Sequence, residues 1–172
     1  MGCDIHAYVE YRNKLTGDHD DQDASWDCLT GQLSLPRYYN VFGMIAGVRG
    51  NKSLLEPKGI PEDMGWQAQE DWWIYIDDKP EGQEECDCEN IVSLKTAQQY
   101  ETYGSTILYH KNGKPYRVQH PDWHSATWLT TSEFNEALSH TDADPAYKAV
   151  LAMMESLESN NQEARIIVWF DN

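Results

Sequence analysis

The sequence predicts an α+β fold with a mostly antiparallel sheet, on three observations. Residues Cys3–Arg12 alternate strictly between apolar and polar, the period-two pattern of a half-buried strand. Two helix starts carry capping signals, Thr130-Thr131-Ser132-Glu133 and Asp144-Pro145. Arg165–Phe170 is a nearly unbroken apolar run, as in a central strand covered on both faces.

The elements follow in order. In the first strand Ile5, Ala7, Val9 and Tyr11 share one face, and Asp4, His6, Tyr8, Glu10 and Arg12 share the other. Residues 16–36 hold turn signals and an acidic cluster, an irregular excursion. Tyr38–Val48 has helical apolar spacing and stops at Arg49-Gly50-Asn51. Lys52–Gly65, with Pro57 and Pro61, reads as loop, and Asp71–Asp77 as a strand. Leu94–Tyr103 reads as a helix. Asn112-Gly113 between strand-like runs at Thr106–His110 and Tyr116–Gln119 signals a hairpin. Helices from Thr130 and from Asp144 follow, the latter with a stripe of Tyr147, Val150, Leu151, Met154 and Leu157. The expectation is one domain over residues 1–172, with three or four helices and the N- and C-terminal strands near each other.

Composition narrows the function classes. Aromatic residues reach 12 %, enough apolar area to argue against a disordered chain. No apolar run approaches the ~18 residues of a membrane span, and no signal peptide is visible, so no membrane role and a cytoplasmic setting are expected. Met1-Gly2 lacks the Ser or Thr at position 6 that myristoylation needs, because His6 stands there. A net charge of −16 argues against non-specific nucleic-acid binding. The acid is clumped at Asp18–Asp27 and Glu81–Glu89, in stretches that read as loops. Solubility is the plain explanation, and mimicry of DNA charge or another acidic protein-binding inhibitor is the sharper one. Cys3, Cys28, Cys86 and Cys88 are too sparse for a disulfide framework, and Cys86-Asp-Cys88 is spaced more tightly than zinc knuckles are.

Candidate chemistry gathers in three places. Asp4 and His6 lie two apart on one strand face, ~7 Å from each other. Such a pair can ligate a metal, or the carboxylate can orient the imidazole as a base; the plain alternative is the solvated side of an edge strand. His120-Pro121-Asp122-Trp123-His124-Ser125 is a loop feeding a capped helix. His124 with Asp4 and His6 would make a two-His, one-carboxylate set for a divalent metal, Asp122 would add a fourth ligand, and Asp171 could join from the last strand. Ser125 beside His124 is a weak nucleophile–base pair, since sequence neighbours need not meet. Third, two basic islands stand out, Arg37, Arg49, Lys52 and Lys58, then Lys111, Lys114 and Arg117. Tyr38, Tyr39, Tyr116 and Trp123 interleave with them, which suits an anionic, ring-bearing ligand such as a nucleotide. The competing explanation is that these cations balance the acidic loops. No Gly-rich phosphate loop is present.

Several stretches resemble a family of small phage-encoded proteins. Met1-Gly2-Cys3-Asp4-Ile5-His6 with Tyr8-Val9-Glu10 is similar to its opening. Arg37-Tyr38-Tyr39-Asn40-Val41-Phe42 with Ala46-Gly47-Val48-Arg49 resembles an internal block, as do Gly59-Ile60-Pro61-Glu62-Asp63, His124-Ser125-Ala126-Thr127-Trp128-Leu129-Thr130 and the closing Trp169-Phe170-Asp171-Asn172. These stretches run from end to end but cover under half of the chain. Asp122-Trp123-His124 replaces the family's Asp-Gly-His, putting a bulky ring into that loop. The resemblance implies a phage context, hence host cytoplasm and a counter-defence role by analogy, and it carries no activity with it.

The leading expectation is a pocket for a small nucleotide-like anion, sequestering a host signal. Tyr8, Arg37, Tyr39, Arg49, Trp123 and Ser125 would bind it beside Asp4, His6 and His124. The second is a metal-dependent phosphoesterase in which Asp4, His6, Asp122 and His124 hold the metal and His6 and His124 are catalytic. The third is the acidic inhibitor. A homo-oligomer is compatible with all three.

Overall fold

The computed structural model describes residues 2–14, 25–50, 52–77, 90–103 and 106–171. Among them the chain forms strands β1 (Asp4–Asn13), β2 (Asp27–Cys28), β3 (Trp73–Asp77), β4 (Ile91–Ser93), β5 (Leu108–Lys111), β6 (Lys114–Gln119), β7 (His124–Thr130) and β8 (Gln162–Asp171). The α-helices are α1 (Tyr39–Ala46), α2 (Trp66–Trp72), α3 (Leu94–Tyr103), α4 (Thr131–Ser139) and α5 (Pro145–Ser159). The fold is α+β, with two sheets ordered β2-β1-β8-β7 and β4-β3-β6-β5. Among the described strands only the β3–β4 pair is parallel. The chain divides into two compact units, one of residues 1–66 and 124–172, the other of residues 67–123.

In the first unit β1 and β8 pair antiparallel from Asp4↔Asp171 to Asn13↔Gln162, so the first and last strands are direct neighbours. Ile5, Ala7 and Val9 sit opposite Phe170, Val168 and Ile166 and share their face. That face is covered by Val41, Phe42 and Ile45 of α1, Phe134 of α4 and Tyr147, Val150 and Met154 of α5. The stripe read from the Asp144 helix is therefore core. Burial of these apolar surfaces is the main stabilising term, ~25 cal/mol per Å2.

Local chemistry sets the helix ends. Gly47, at φ 69°, closes α1, its N–H donating to Gly43 O at 2.8 Å. The expected stop at Arg49-Gly50-Asn51 is instead a single 3-10 turn at Val48–Gly50, with Arg49 at φ 66°. At α4 the capping box is complete: Thr130 Oγ1 accepts from Glu133 N, and Glu133 Oε2 accepts from Thr130 N at 2.9 Å. Asp144 Oδ1 accepts from Ala146 N at 2.9 Å ahead of Pro145, capping α5.

The second unit packs α3 against its sheet through Ala97, Ile74 and Val118. The hairpin turns at Asn112 (φ 54°) and Gly113 (φ 76°), the positive-φ pair that Asn-Gly supplies.

Two local assignments change. The strand expected over Asp71–Asp77 begins at Trp73, because Trp66–Trp72 forms a short helix first. That brings the described α-helices to five. Of the loop expected at His120–Ser125, His124 and Ser125 instead open a strand, His124–Thr130. Its small, polar start, His124-Ser125-Ala126, carries no strand signal, and β8 supplies the pairing across a register shift between His124 and Thr127. Of the first acidic cluster, Asp27 pairs with Tyr11; Asp18, Asp20, Asp21 and Asp23 lie outside the described residues, as do the Glu81–Glu89 cluster, Cys86 and Cys88.

Candidate functional site

The polar face of β1 begins at Asp4 and His6. Arg37 donates to both carboxylate oxygens of Asp4, Nη2 reaching Oδ2 at 2.6 Å. These hydrogen bonds hold the Asp4 carboxyl below its usual range. His6 Nε2 lies 2.9 Å from Asp171 Oδ2, and Gln32 Nε2 lies 2.9 Å from His6 Nδ1. With the Gln32 amide donating, Nδ1 accepts and Nε2–H donates to Asp171, a tautomer assigned from its partners. The His6 ring stacks on Trp169 at 5.6 Å and 4°, and Tyr8 stacks on the same indole at 5.4 Å. The end of the last strand does join Asp4 and His6, through Asp171.

His124 does not join them. His6 sits opposite Trp169 on β8, whereas His124 sits opposite Phe170 and stacks on it at 6.2 Å. Successive residues of a strand point to opposite faces, so the two imidazoles lie on opposite sides of the sheet. A two-His, one-carboxylate centre of Asp4, His6 and His124 is therefore not formed. Asp122 and Trp123 belong to the second unit, where Asp122 N donates to His120 Nδ1 at 3.3 Å and Trp123 stacks on His120 at 4.9 Å. Among the described residues no three His, Cys, Asp or Glu side chains are grouped to hold a metal.

The other expected ligand contacts are dispersed as well. Tyr8 is 1 % exposed, its hydroxyl buried without a hydrogen-bond partner among the described residues. Arg37 is engaged with Asp4. On the helix-covered face Tyr39 packs on Phe42 at 5.6 Å, and Phe42 packs on Phe170 at 4.9 Å. Arg49 lies 5.6 Å over Tyr39. Burial pushes the neighbouring Cys3 thiol up, with Arg49 opposing. Ser125, at φ 51°, has its Oγ 2.9 Å from His124 Nδ1. His124 Nε2 is buried and has no hydrogen-bond partner among the described residues, so none of their carboxylates orients that imidazole as in a triad. The second basic island stays in the second unit, Arg117 lying 4.2 Å over Trp73 and 4.7 Å over Tyr109.

The polar face of β1 changes character toward its far end. Glu10 is 0 % exposed and sits opposite Arg165, itself 3 % exposed. Arg165 donates from Nε to Glu10 Oε2 at 2.8 Å, from Nη1 to Asp63 Oδ1 at 2.8 Å and from Nη2 to Asp63 O at 3.0 Å, and its Nη2 lies 2.7 Å from Glu10 Oε2 in the ion pair. Gly65 N donates to Glu10 Oε1 at 2.7 Å. A Cβ on Gly65 would meet Trp26 O at 2.9 Å, so this approach requires glycine. Burial raises the Glu10 carboxyl, with Arg165 and the Gly65 N–H opposing. At Asp63 burial also pushes upward, but Arg165 and the Trp26 indole outweigh it and the carboxyl lies below its usual value.

A groove of about 580 Å3 opens beside this network, entirely within the first unit. Trp26, Trp128, Ile60 and Pro61 give it apolar walls. Arg165 lies 3.9 Å and Arg12 4.5 Å from the centroid of Trp26, and Lys58 Nζ lies 3.9 Å from that of Trp128. Lys58 also holds both oxygens of Glu133, at 2.7 and 2.6 Å. Burial pushes the Glu133 carboxyl up, but bonds from Lys58 and Thr130 leave it lowered. Arg12, Lys14, Lys58 and Arg165 are four of the chain's 13 Lys and Arg; only four of its 29 Asp and Glu line the groove with them. The lining is formally neutral inside a chain of charge −16, making it a relatively cationic recess.

Sequence reasoning missed this groove. The available signal was Arg165, a charge at the head of an apolar run, and Glu10 on the polar face of the first strand; their pairing depended on the β1–β8 register. No family model, curated protein or solved structure matches the chain.

Proposed function

We propose that this protein binds a small, ring-bearing anion of nucleotide type in the groove walled by Trp26 and Trp128. The observation that carries this reading is the convergence of two indoles and four cations in one recess of a strongly acidic chain. The guanidinium and ammonium groups that lie on the two indoles accept anions, and the half-buried Trp128 with Ile60 and Pro61 gives apolar surface for a flat ring. The site lies farther along the same strand face than Asp4 and His6, and Arg12, Lys14, Lys58 and Arg165 replace Arg37 and Arg49 as its cations. In the phage setting that the opening residues imply, the ligand would be a host signalling nucleotide held out of circulation. Turnover finds less support. Both ring nitrogens of His6 are hydrogen-bonded and both oxygens of Asp4 face Arg37.

The test is native mass spectrometry with a nucleotide mixture, followed by denaturation of the complex. Retention of a nucleotide and its release unchanged supports sequestration, and Trp128→Ala is expected to abolish it. Release of a converted product would replace sequestration by catalysis. No retained nucleotide would remove the proposal.

A further inference from the structure

The four cations of the groove are not equivalent. Arg165 has Nε, Nη1 and Nη2 engaged with Glu10 and Asp63. Lys58 holds both oxygens of Glu133 and lies on Trp128. These two are committed to the protein itself. Arg12 donates from Nε alone, to Glu163 Oε2 at 2.6 Å, and its two Nη groups have no partner among the described residues. The Lys14 side chain likewise has no partner among them, its backbone N–H alone bonding, to Asn161 O. Both residues line the groove, at its β1 end.

We propose that the ligand carries a single phosphate, seated on Arg12 and Lys14, and that Glu163 is the counter-ion this phosphate competes with. The inference rests on the nucleotide-type reading above. A guanidinium end with two N–H2 groups unpartnered among the described residues, plus an ammonium, matches three terminal oxygens better than the two of a carboxylate. The charge of one phosphate, about −1.5 to −2, balances two cations. A second or third phosphate would find Arg165 and Lys58 already neutralised, and would face Glu158 and Glu62 on the rim. Glu163 is 41 % exposed and directly opposite Arg12 across the β1–β8 pair, so it can turn to solvent when a stronger anion arrives. It thereby sets a threshold against weak anions. Exposed ion pairs contribute little, so this displacement costs little.

The experiment is isothermal titration with AMP, GMP, CMP and UMP, their nucleosides and their triphosphates. At least one monophosphate is expected to bind about tenfold more tightly than both its nucleoside and its triphosphate. Arg12→Gln and Lys14→Gln should each remove that preference. Glu163→Gln should tighten the monophosphate about twofold to fivefold and leave the nucleoside unchanged. Circular dichroism checks that the variants fold. Monophosphate and nucleoside binding equally, or a preference that survives Arg12→Gln, overturns the phosphate seat while leaving a ring-binding groove. Unchanged affinity in Glu163→Gln overturns the competing role of Glu163. Binding of none of the twelve compounds overturns both this inference and the reading beneath it.

Discussion

His6 and His124 lie on opposite faces of one sheet, held there by adjacent residues of β8, Trp169 and Phe170. The two histidines should therefore act independently. In urea denaturation His6→Ala is expected to cost about 1 kcal/mol, for its bond to Asp171. The double variant His6→Ala/His124→Ala should cost the sum of the single changes to within about 0.5 kcal/mol. A larger coupling would show that the imidazoles share a site after all.

The two ion pairs at the far end of β1 should differ sharply in weight. Glu10 and Arg165 are buried, so Glu10→Ala leaves a guanidinium without its main partner and should cost about 3–5 kcal/mol. The Arg12–Glu163 pair is partly exposed, and Glu163→Ala should cost about 1 kcal/mol or less. Equilibrium unfolding of the two variants side by side gives the comparison.

Acid should destabilise the protein through Asp63 and Glu133. Both carboxyls lie below their ordinary values in the folded chain. The stability they supply is present above the unfolded values, about 4, and is lost as pH falls through the folded ones. Glu10 is raised and works with the opposite sign, its contribution being lost as pH rises through the folded value. Lys58→Met removes a cause of the Glu133 depression, so its stability should fall less between pH 6 and pH 3 than that of the parent. A parallel loss in both proteins would mean that Glu133 is not a source of the acid sensitivity.

The capping box should report on both fold and groove. Thr130→Ala removes the Thr130 side chain from the start of α4 and is expected to cost about 1 kcal/mol. It also loosens Glu133, which anchors Lys58 against Trp128. Asp144→Ala removes the cap of α5, and should cost a similar amount without changing ligand affinity. Thermal melts and titration of the two variants separate these effects.

The elements that were legible had strong local chemistry. Alternation marked β1, capping groups marked α4 and α5, and Asn112-Gly113 marked the hairpin, each because a single local geometry satisfies those residues. Helix α2 was hidden because Trp66–Trp72 is short and its aromatic end runs straight into β3. The site was harder. Asp4 and His6 do find Asp171, which strand alternation and the expected neighbourhood of the two end strands made visible. The face assignment of His124 was not, since a register shift in β7 decides it. Glu10 and Arg12 share the expected polar face, yet one is buried and the other rims a groove. That difference depends on Asp63, Gly65 and Trp26, brought in by segments with no periodicity to read.

The ten-residue pairing of β1 with β8 also dictates an order of assembly. Their partners are separated by nearly the whole chain, so the central ladder closes a very long loop and its loop entropy must be overcome late. On a ribosome β1 emerges well before β8 and has only its short pairing with β2 until β8 follows, while residues 67–123 form a contiguous unit with mostly nearby contacts that can organise in the meantime. Refolding should then show a fast phase in the middle of the sequence and a slow one that burial of Trp169 reports, and a chain cut short before β8 should leave the apolar edge of β1 open to aggregation.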